Sequence, residues 1–369
     1  MKFSHGPGNA KDWIGLYREG ASNRSYVDWA YVNGSQTATK GYTDGTVTFK
    51  GRLKPGTYHL RFFKNDSYTK ISQDVPITVT SKKTSSQSPV KLKMLTMNTW
   101  HGGGKVNNGT DKIVRAVQRS GADVVGFQER PDPAKTVAKQ LGWHFYQSPN
   151  GGSIISRYPI VEKFEIPGAS APTVRVRLSS GQEAIVTSAH LDYKEYGPYS
   201  AHFENKKTSE IIKIEEKRRG VEAAAILRTL KPYLSSNMPV FLLGDFNAPS
   251  HLDWVDSTKK SHNGYTIEWP VSKKIKQAGM TDSYRKIHPD PAKSPGNTWS
   301  PVYTSDHPWD SAYDYEPQDR IDFIYSKGRA NATQSQVFVT GSPKPYGQHK
   351  DNEWPSDHAG VLSTFTINP

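Results

Sequence analysis

From Lys91 onward the chain repeats one device: a short apolar run that stops abruptly in an acid, an amide or an imidazole. "KLKMLTMN" stops at Asn98, "VVGFQE" at Glu129, "EAIVTSAH" at His190, and "PVFLLGDFN" at Asp245 and Asn247. "RIDFIY" carries Asp322 near its head, and "SDHAGVLSTF" carries Asp357 and His358 just before its apolar part. Continuous apolar runs of this length read as buried strands, and the loops that close such strands are where a rigid scaffold presents chemistry. Each polar residue has an ordinary explanation by itself: Glu129 as a cap, His190 as a hydrogen-bonded core histidine, Asp322 as a partner of Arg320. Taken together they need only one, a shared site at one end of the strands.

The segments between these runs are helical in pattern. "TDKIVRAVQRSG" offers Thr110 or Asp111 as a cap, apolar Ile113, Val114 and Val117, and a closing Gly121. A basic helix is expected from about Ser209 to Leu230. Strands alternating with helices, without a Gly-rich dinucleotide fingerprint, predict an α+β fold of layered-sandwich type. Residues 1–80 differ: "SYVDWAYV", "GTVTFKG", "GTYHLRFFK" and "VPITVT", separated by NG, DG and PG turns, predict a small all-β, Ig-like sandwich. Residues 81–90, "SKKTSSQSPV", have the Ser- and Lys-rich composition of a linker. The second domain is then 91–369.

Composition narrows the chemistry. The formal net charge of +13 over 369 residues, spread across both parts, favours anionic partners. With no cysteine there is no disulfide framework, no thiolate metal site and no Cys nucleophile. The absence of HExxH and GxSxG motifs disfavours a zinc hydrolase and a serine hydrolase. Oxygen donors from Glu and Asp suit a hard cation, Mg²⁺ or in its place Mn²⁺ or Ca²⁺, as one ion or two, while amides and imidazoles contact phosphoryl oxygens and move protons. That set points to cleavage of a phosphate ester. No run reaches a membrane-spanning length and the start "MKFSHGPGNAKDW" has no apolar leader; the low charged fraction, the abundant Tyr, Trp, Thr and Ser and the missing cysteines suit a secreted chain whose signal peptide has been removed, and a monomer is expected.

The motifs "LTMNTW", "GFQE", "SAHLD", "LLGDFN", "RIDFIY" and "SDHAGV", in this order, resemble the endonuclease/exonuclease/phosphatase (DNase I-like) superfamily over residues 91–369. The resemblance implies a four-layer α/β/β/α sandwich with its active site at one end of the two sheets. It implies Glu129 as principal metal ligand, assisted by Asn98 and Asp357, and His358 as base with Asp322 orienting its ring. Asp245 and Asn247 would position nucleophile and phosphate, and His190 would donate to a non-bridging oxygen. Whether Asp245 or His358 takes the proton stays open. The N-terminal stretches "DWIGLYREG" and "YVDWAYVNG" resemble SKICH-like β-sandwich modules. Such a module would be an accessory domain, its Trp13, Tyr17, Trp29 and Tyr31 either reading a glycan or lipid surface or forming the sandwich core.

Substrate choice belongs to the loops between the shared motifs. Trp100 and His101 follow Asn98 in a Gly-rich loop, Tyr193 opens an aromatic and basic insert after His190, and Arg320 closes a Trp-, Tyr- and Asp-rich stretch that reads as a pocket wall. These four are the expected substrate contacts. The expectation is a phosphodiesterase or phosphatase acting on a glycan, lipid-headgroup or other small phosphate ester, with a sugar-nonspecific endonuclease as the alternative. The absence of a concentrated basic stripe disfavours nucleic acid. A non-catalytic binding protein is the third reading, and the filled position at every motif stands against it.

Overall fold

The computed structural model describes residues 1–49, 53–79, 88–130, 132–304 and 313–369. Most of the expected linker, 81–87, and part of the expected pocket wall, 305–312, lie outside the described residues. The chain divides into two compact units, Met1–Ser86 and Gln87–Pro369.

The first unit is all-β among its described residues. Its strands are Lys2–Phe3 (β1), Trp13–Arg18 (β2), Tyr26–Tyr31 (β3), Gly45–Thr46 (β4), Gly56–Phe63 (β5) and Val75–Val79 (β6). β1 pairs with β4, and the others form one antiparallel sheet in the order β3-β2-β5-β6. Alternation along the strands sends Ile14, Leu16, Leu60 and Phe62 into one core. It sends Trp13, Tyr17 and Phe63 to the opposite face, where Trp29 and Tyr31 pack over them. Trp13 and Tyr17 are thereby buried as core.

The second unit lays down half of one sheet, then all of a second, and then returns. The first half comprises Val90–Asn98 (β7), Val124–Gln128 (β8), His144–Gln147 (β9) and Ser153–Ser156 (β10). The second sheet is Ile160–Phe164 (β11), Thr173–Arg177 (β12), Glu183–His190 (β13), Val240–Asp245 (β14), Thr281–Asp282 (β15) and Asp322–Lys327 (β16), in the order β11-β12-β13-β14-β16-β15. Ala330–Phe338 (β17) and Gly360–Ile367 (β18) then complete the first sheet as β17-β18-β7-β8-β10-β9.

Each sheet contains one parallel pair, β7 with β8 and β13 with β14, and a parallel pair requires a crossover. The first crossover is Gly109–Ser120 (α1), closed by Gly121 in the left-handed region. Its N-cap is Asn108, not the expected Thr110 or Asp111. Ala134–Leu141 (α2) follows β8. The second crossover holds Gly197–His202 (α3), Thr208–Glu215 (α4), a π-turn over Glu216–Gly220 and Val221–Leu234 (α5). The basic helix expected near 209–230 is therefore two helices joined by the π-turn. Pro270–Gln277 (α6) and Ser283–Ile287 (α7) complete the helices.

Because a strand's side chains alternate between its faces, both faces of each central strand are apolar, and they sort into layers. Leu92, Met94 and Val124 of one sheet meet Val186, Phe241, Leu243 and Ile324 of the other between the sheets. Leu95, Met97, Val125 and Phe127 pack outward on α1 and α2. Ile185, Ala189, Val240, Leu242 and Phe323 pack outward on α5 and α6. The result is the four-layer α/β/β/α sandwich.

Candidate active site

The same alternation decides where the polar residues point. Asn98 continues the inward series of Leu92 and Met94, His190 that of Val186, Asp245 that of Phe241 and Leu243, and Asp322 that of Ile324. Register aligns them: His190 lies opposite Asp245, and Asp245 opposite Asp322. β16 and β18 run antiparallel to their neighbours, so their starts lie at the end where β7, β8, β13 and β14 finish. The polar residues therefore gather where the gap between the sheets opens.

Just below them the gap is spanned by hydrogen bonds. Gln128 Nε2 donates to Thr96 Oγ1 at 3.1 Å and to Ser188 Oγ at 3.0 Å, joining the two sheets through fully buried side chains. Beside this bridge Gly126 has no room for a side chain: a Cβ would stand 2.1 Å from Leu243 Cδ1 and 2.9 Å from Ser188 Oγ.

Asp245 is the hub. Its Oδ2 accepts from Asn98 Nδ2 at 3.0 Å and lies 3.5 Å from His190 Nε2 and 3.7 Å from His358 Nε2. Its Oδ1 accepts from the Asn247 backbone N–H at 2.9 Å, and the Asn247 amide donates to Leu191 O, which holds the turn after the strand. His358 Nδ1 meets Asp322 Oδ2 at 2.9 Å, and both residues are buried. Burial opposes the His358 imidazolium, but Asp322, Asp245 and Asp357 outweigh it and hold the pKa well above its ordinary value. Trp299 packs on the same ring with centroids 4.8 Å apart.

Glu129 adopts φ = 75°, a left-handed conformation uncommon for a residue of its type. Its carboxylate is held there by the His101 backbone N–H, 2.7 Å from Oε2, and by Asn98 Nδ2, 3.4 Å from Oε1. Asp357 is buried, and its Oδ1 has no hydrogen-bond partner. Burial, reinforced by the negative charges of Glu129 and Asp245, pushes the Asp357 carboxyl up to about 7. An unpartnered buried carboxylate oxygen beside further carboxylates fits a hard divalent cation, which supplies the missing charge and accepts oxygen donors.

Asp245, Asp322 and His358 also offer ligand atoms within 4.8 Å of one another. There Asp322 Oδ2 and His358 Nδ1 already satisfy each other, while Asp322 Oδ1, like Asp357 Oδ1, is buried without a hydrogen-bond partner.

The remaining expected residues divide. Trp100, His101 and Tyr193 line a cleft of about 1440 Å³ together with Glu129, His190, Asp245, Asn247, Asp357 and His358. Arg320 does not. It is buried, with Nε and Nη2 on Asp253 and Nη1 on Asp282 at 2.7 Å, so its donors are committed to holding loops rather than substrate. The cleft also has an aromatic flank beyond Trp100 that the sequence reading did not assemble. Trp299 leads to Tyr303, Tyr303 to Tyr346, Tyr346 to His349 and His349 to Trp100, with ring centroids 5.4, 5.3, 4.8 and 4.9 Å apart. These rings come from separate loops with no shared periodicity, and only the loop composition around "TWSPVY" hinted at them.

Two packed sheets that converge carboxylates, amides and an Asp–His pair at one end define a phosphoric ester hydrolase. The chain belongs to the endonuclease/exonuclease/phosphatase family, whose family model matches residues 95–358. Uncharacterized protein F14F9.5 of Caenorhabditis elegans is 33% identical over 305 residues, covering 78% of this chain and 95% of its own length. Among solved structures, the human Nocturnin catalytic domain with bound sulfate aligns with a TM-score of 0.50 at 14% identity, covering 75% of this chain and 95% of that one. The endonuclease/exonuclease/phosphatase from Beutenbergia cavernae aligns with a TM-score of 0.48 at 16% identity, covering 75% and 72%. The family's enzymes depend on a divalent metal, and this chain is an enzyme of that class.

Proposed function

We propose that the protein hydrolyses a phosphate ester by in-line attack of water, with Glu129 and Asp357, assisted by Asn98, holding Mg²⁺ or an equivalent ion. When bound, such an ion neutralises phosphoryl oxygens as a Lewis acid. The observation that carries the reading is the hub at Asp245, faced by two imidazoles and an amide on one oxygen. Both His358 nitrogens face carboxylates, which favours the imidazolium. As water bonds to phosphorus and the P–O bond to the alcohol breaks opposite it, protonated His358 donates a hydrogen bond from Nε2 to a phosphoryl oxygen and His190 Nε2 donates to another. Asp245 Oδ2 accepts the proton of the attacking water, and the departing alkoxide takes a proton from solvent. Asn247 sets the carboxylate's orientation, and Asp322 keeps the His358 ring fixed through Nδ1.

The aromatic flank favours a substrate whose esterified alcohol presents a flat ring face, a sugar or a nucleoside, over an acyl chain. The test is hydrolysis of bis(p-nitrophenyl) phosphate and of p-nitrophenyl phosphate in Mg²⁺. Turnover that disappears in EDTA and in Glu129→Ala is expected; turnover that persists in both would overturn the metal assignment. Nicking of supercoiled plasmid, with Asp245→Ala purified in parallel, separates the nucleoside case from the sugar case.

A further inference from the structure

A second depression of about 730 Å³ shares Arg130 with the catalytic cleft. Arg130 lines both, and the turn Ser148–Gly151 forms the sill between them, with Asn150 and Gly151 on the cleft side and Ser148 and Pro149 on the other. The second depression is lined by Lys135, Lys163, Asp132, Phe145 and Tyr146 as well as Arg130. Arg130 follows Glu129 in sequence, so the depression begins one residue from the proposed metal ligand.

The charges here are unbalanced. Among the described residues, Arg130, Lys135 and Lys163 have no ion pair; Arg130 donates to Pro149 O, and Lys163 Nζ stands 5.6 Å over the Tyr146 ring. The two acids here, Glu165 and Asp132, have no ion pair with these cations, and each accepts hydrogen bonds. Glu165 takes hydrogen bonds from Tyr146 and Ser148, and Asp132 accepts from the Ala134 backbone and from Ser153. Asp132 Oδ2 has no hydrogen-bond partner; burial raises the pKa of this carboxyl and the positive charge of Arg130 opposes the rise. Arg218, another cation lining the catalytic cleft, is by contrast paired with Asp192 and Glu195. Three cations against the one carboxylate of Asp132 leave an excess of positive charge around the concavity that attracts an anion, and none of the three has an ion pair to give up.

We infer that the Arg130–Lys135–Lys163 depression binds a second anionic group of the substrate, most simply another phosphate, while its scissile phosphate occupies the cleft. This rests on the phosphate-ester reading of the cleft. The preferred substrate then carries at least two phosphates, as in a phosphorylated nucleotide or a sugar bisphosphate. Tyr146 and Phe145 supply a partly apolar wall beside the bound group.

The test uses the full chain and Lys135→Ala/Lys163→Ala, which leaves every residue of the catalytic cleft in place. Calorimetric titration with inorganic pyrophosphate in EDTA reads binding without turnover. The double variant should bind at least about tenfold more weakly, the scale of losing one charge-assisted contact. Unchanged affinity, or no binding by wild type, overturns the inference whatever the enzyme hydrolyses. In Mg²⁺, the KM of thymidine 5′-(p-nitrophenyl phosphate) is compared with that of its 3′-phosphorylated form, and glucose 1-phosphate with glucose 1,6-bisphosphate. A second-phosphate advantage in one pair that vanishes in the double variant supports the inference and names the source. An advantage that survives in the double variant overturns it. Absence of any turnover, bis(p-nitrophenyl) phosphate included, instead defeats the phosphate-ester reading and leaves the pyrophosphate result to decide the anion site.

Discussion

At the scale of single residues, the pair Asp322–His358 carries a signed prediction. Asp322 Oδ2 lies 2.9 Å from His358 Nδ1 and stabilises the imidazolium. Asp322→Asn keeps the shape but removes that charge, so the pKa of His358 falls. If the imidazolium is the working form, as proposed, activity is lost as pH rises through the pKa of His358, and the substitution moves the alkaline limb of the kcat profile to lower pH. If His358 were the base, its neutral form would be needed and the acid limb would move instead. The pH profile of the variant decides between them. kcat at neutral pH should drop by about 10²–10⁴, the range for losing a positioned proton donor and its orienting partner. His358→Ala should fall at least as far.

At the scale of elements, two strand glycines and one arginine show what sequence could and could not convey. Gly126 and Gly244 sit in "GFQ" and "GDF", motifs valued for the polar residues beside them, yet both glycines are there because backbones or sheets come close. A Cβ at Gly244 would stand 1.9 Å from Ala189 O across the parallel β13–β14 pair, at φ = 146°. At Gly126 the obstacle is the facing sheet, so Gly126→Ala should cost about 1–3 kcal/mol through overpacking, read as a shifted denaturant midpoint. Arg320, expected from sequence at the substrate, is held away from it for a physical reason. Its partners Asp253 and Asp282 lie 67 and 38 residues away, and only the folded loops bring them together. Arg320→Ala leaves two buried carboxylates without that partner and should destabilise by about 3–5 kcal/mol. At temperatures where the variant remains folded, its KM should stay close to wild type, whereas a substrate contact would raise it.

At the scale of the whole molecule, the strand ends were legible because period-two alternation fixes both which faces are buried and which way the terminal residue points. Asp245 follows from Leu243 and Phe241 two and four positions back, Asn98 and His190 from Met94 and Val186 four positions back, and Asp322 from Ile324 two positions on. The aromatic flank was not legible, since Tyr303, Tyr346 and His349 lie on loops whose shape depends on contacts distant in sequence. The same distinction bears on the N-terminal unit. Every residue placed at the proposed chemistry, from Asn98 to His358, lies within Gln87–Pro369, which has its own inter-sheet core and both outer helix layers. Met1–Ser86 has a separate core around Ile14, Leu16, Leu60 and Phe62. A unit with its own core folds as its own domain. Removing residues 1–86 should therefore leave a chain that unfolds cooperatively and turns over bis(p-nitrophenyl) phosphate with unchanged kcat. Loss of that turnover in a folded truncation would mean that the first unit contributes to the site itself. A loss confined to a larger or surface-bound substrate would assign it to substrate delivery.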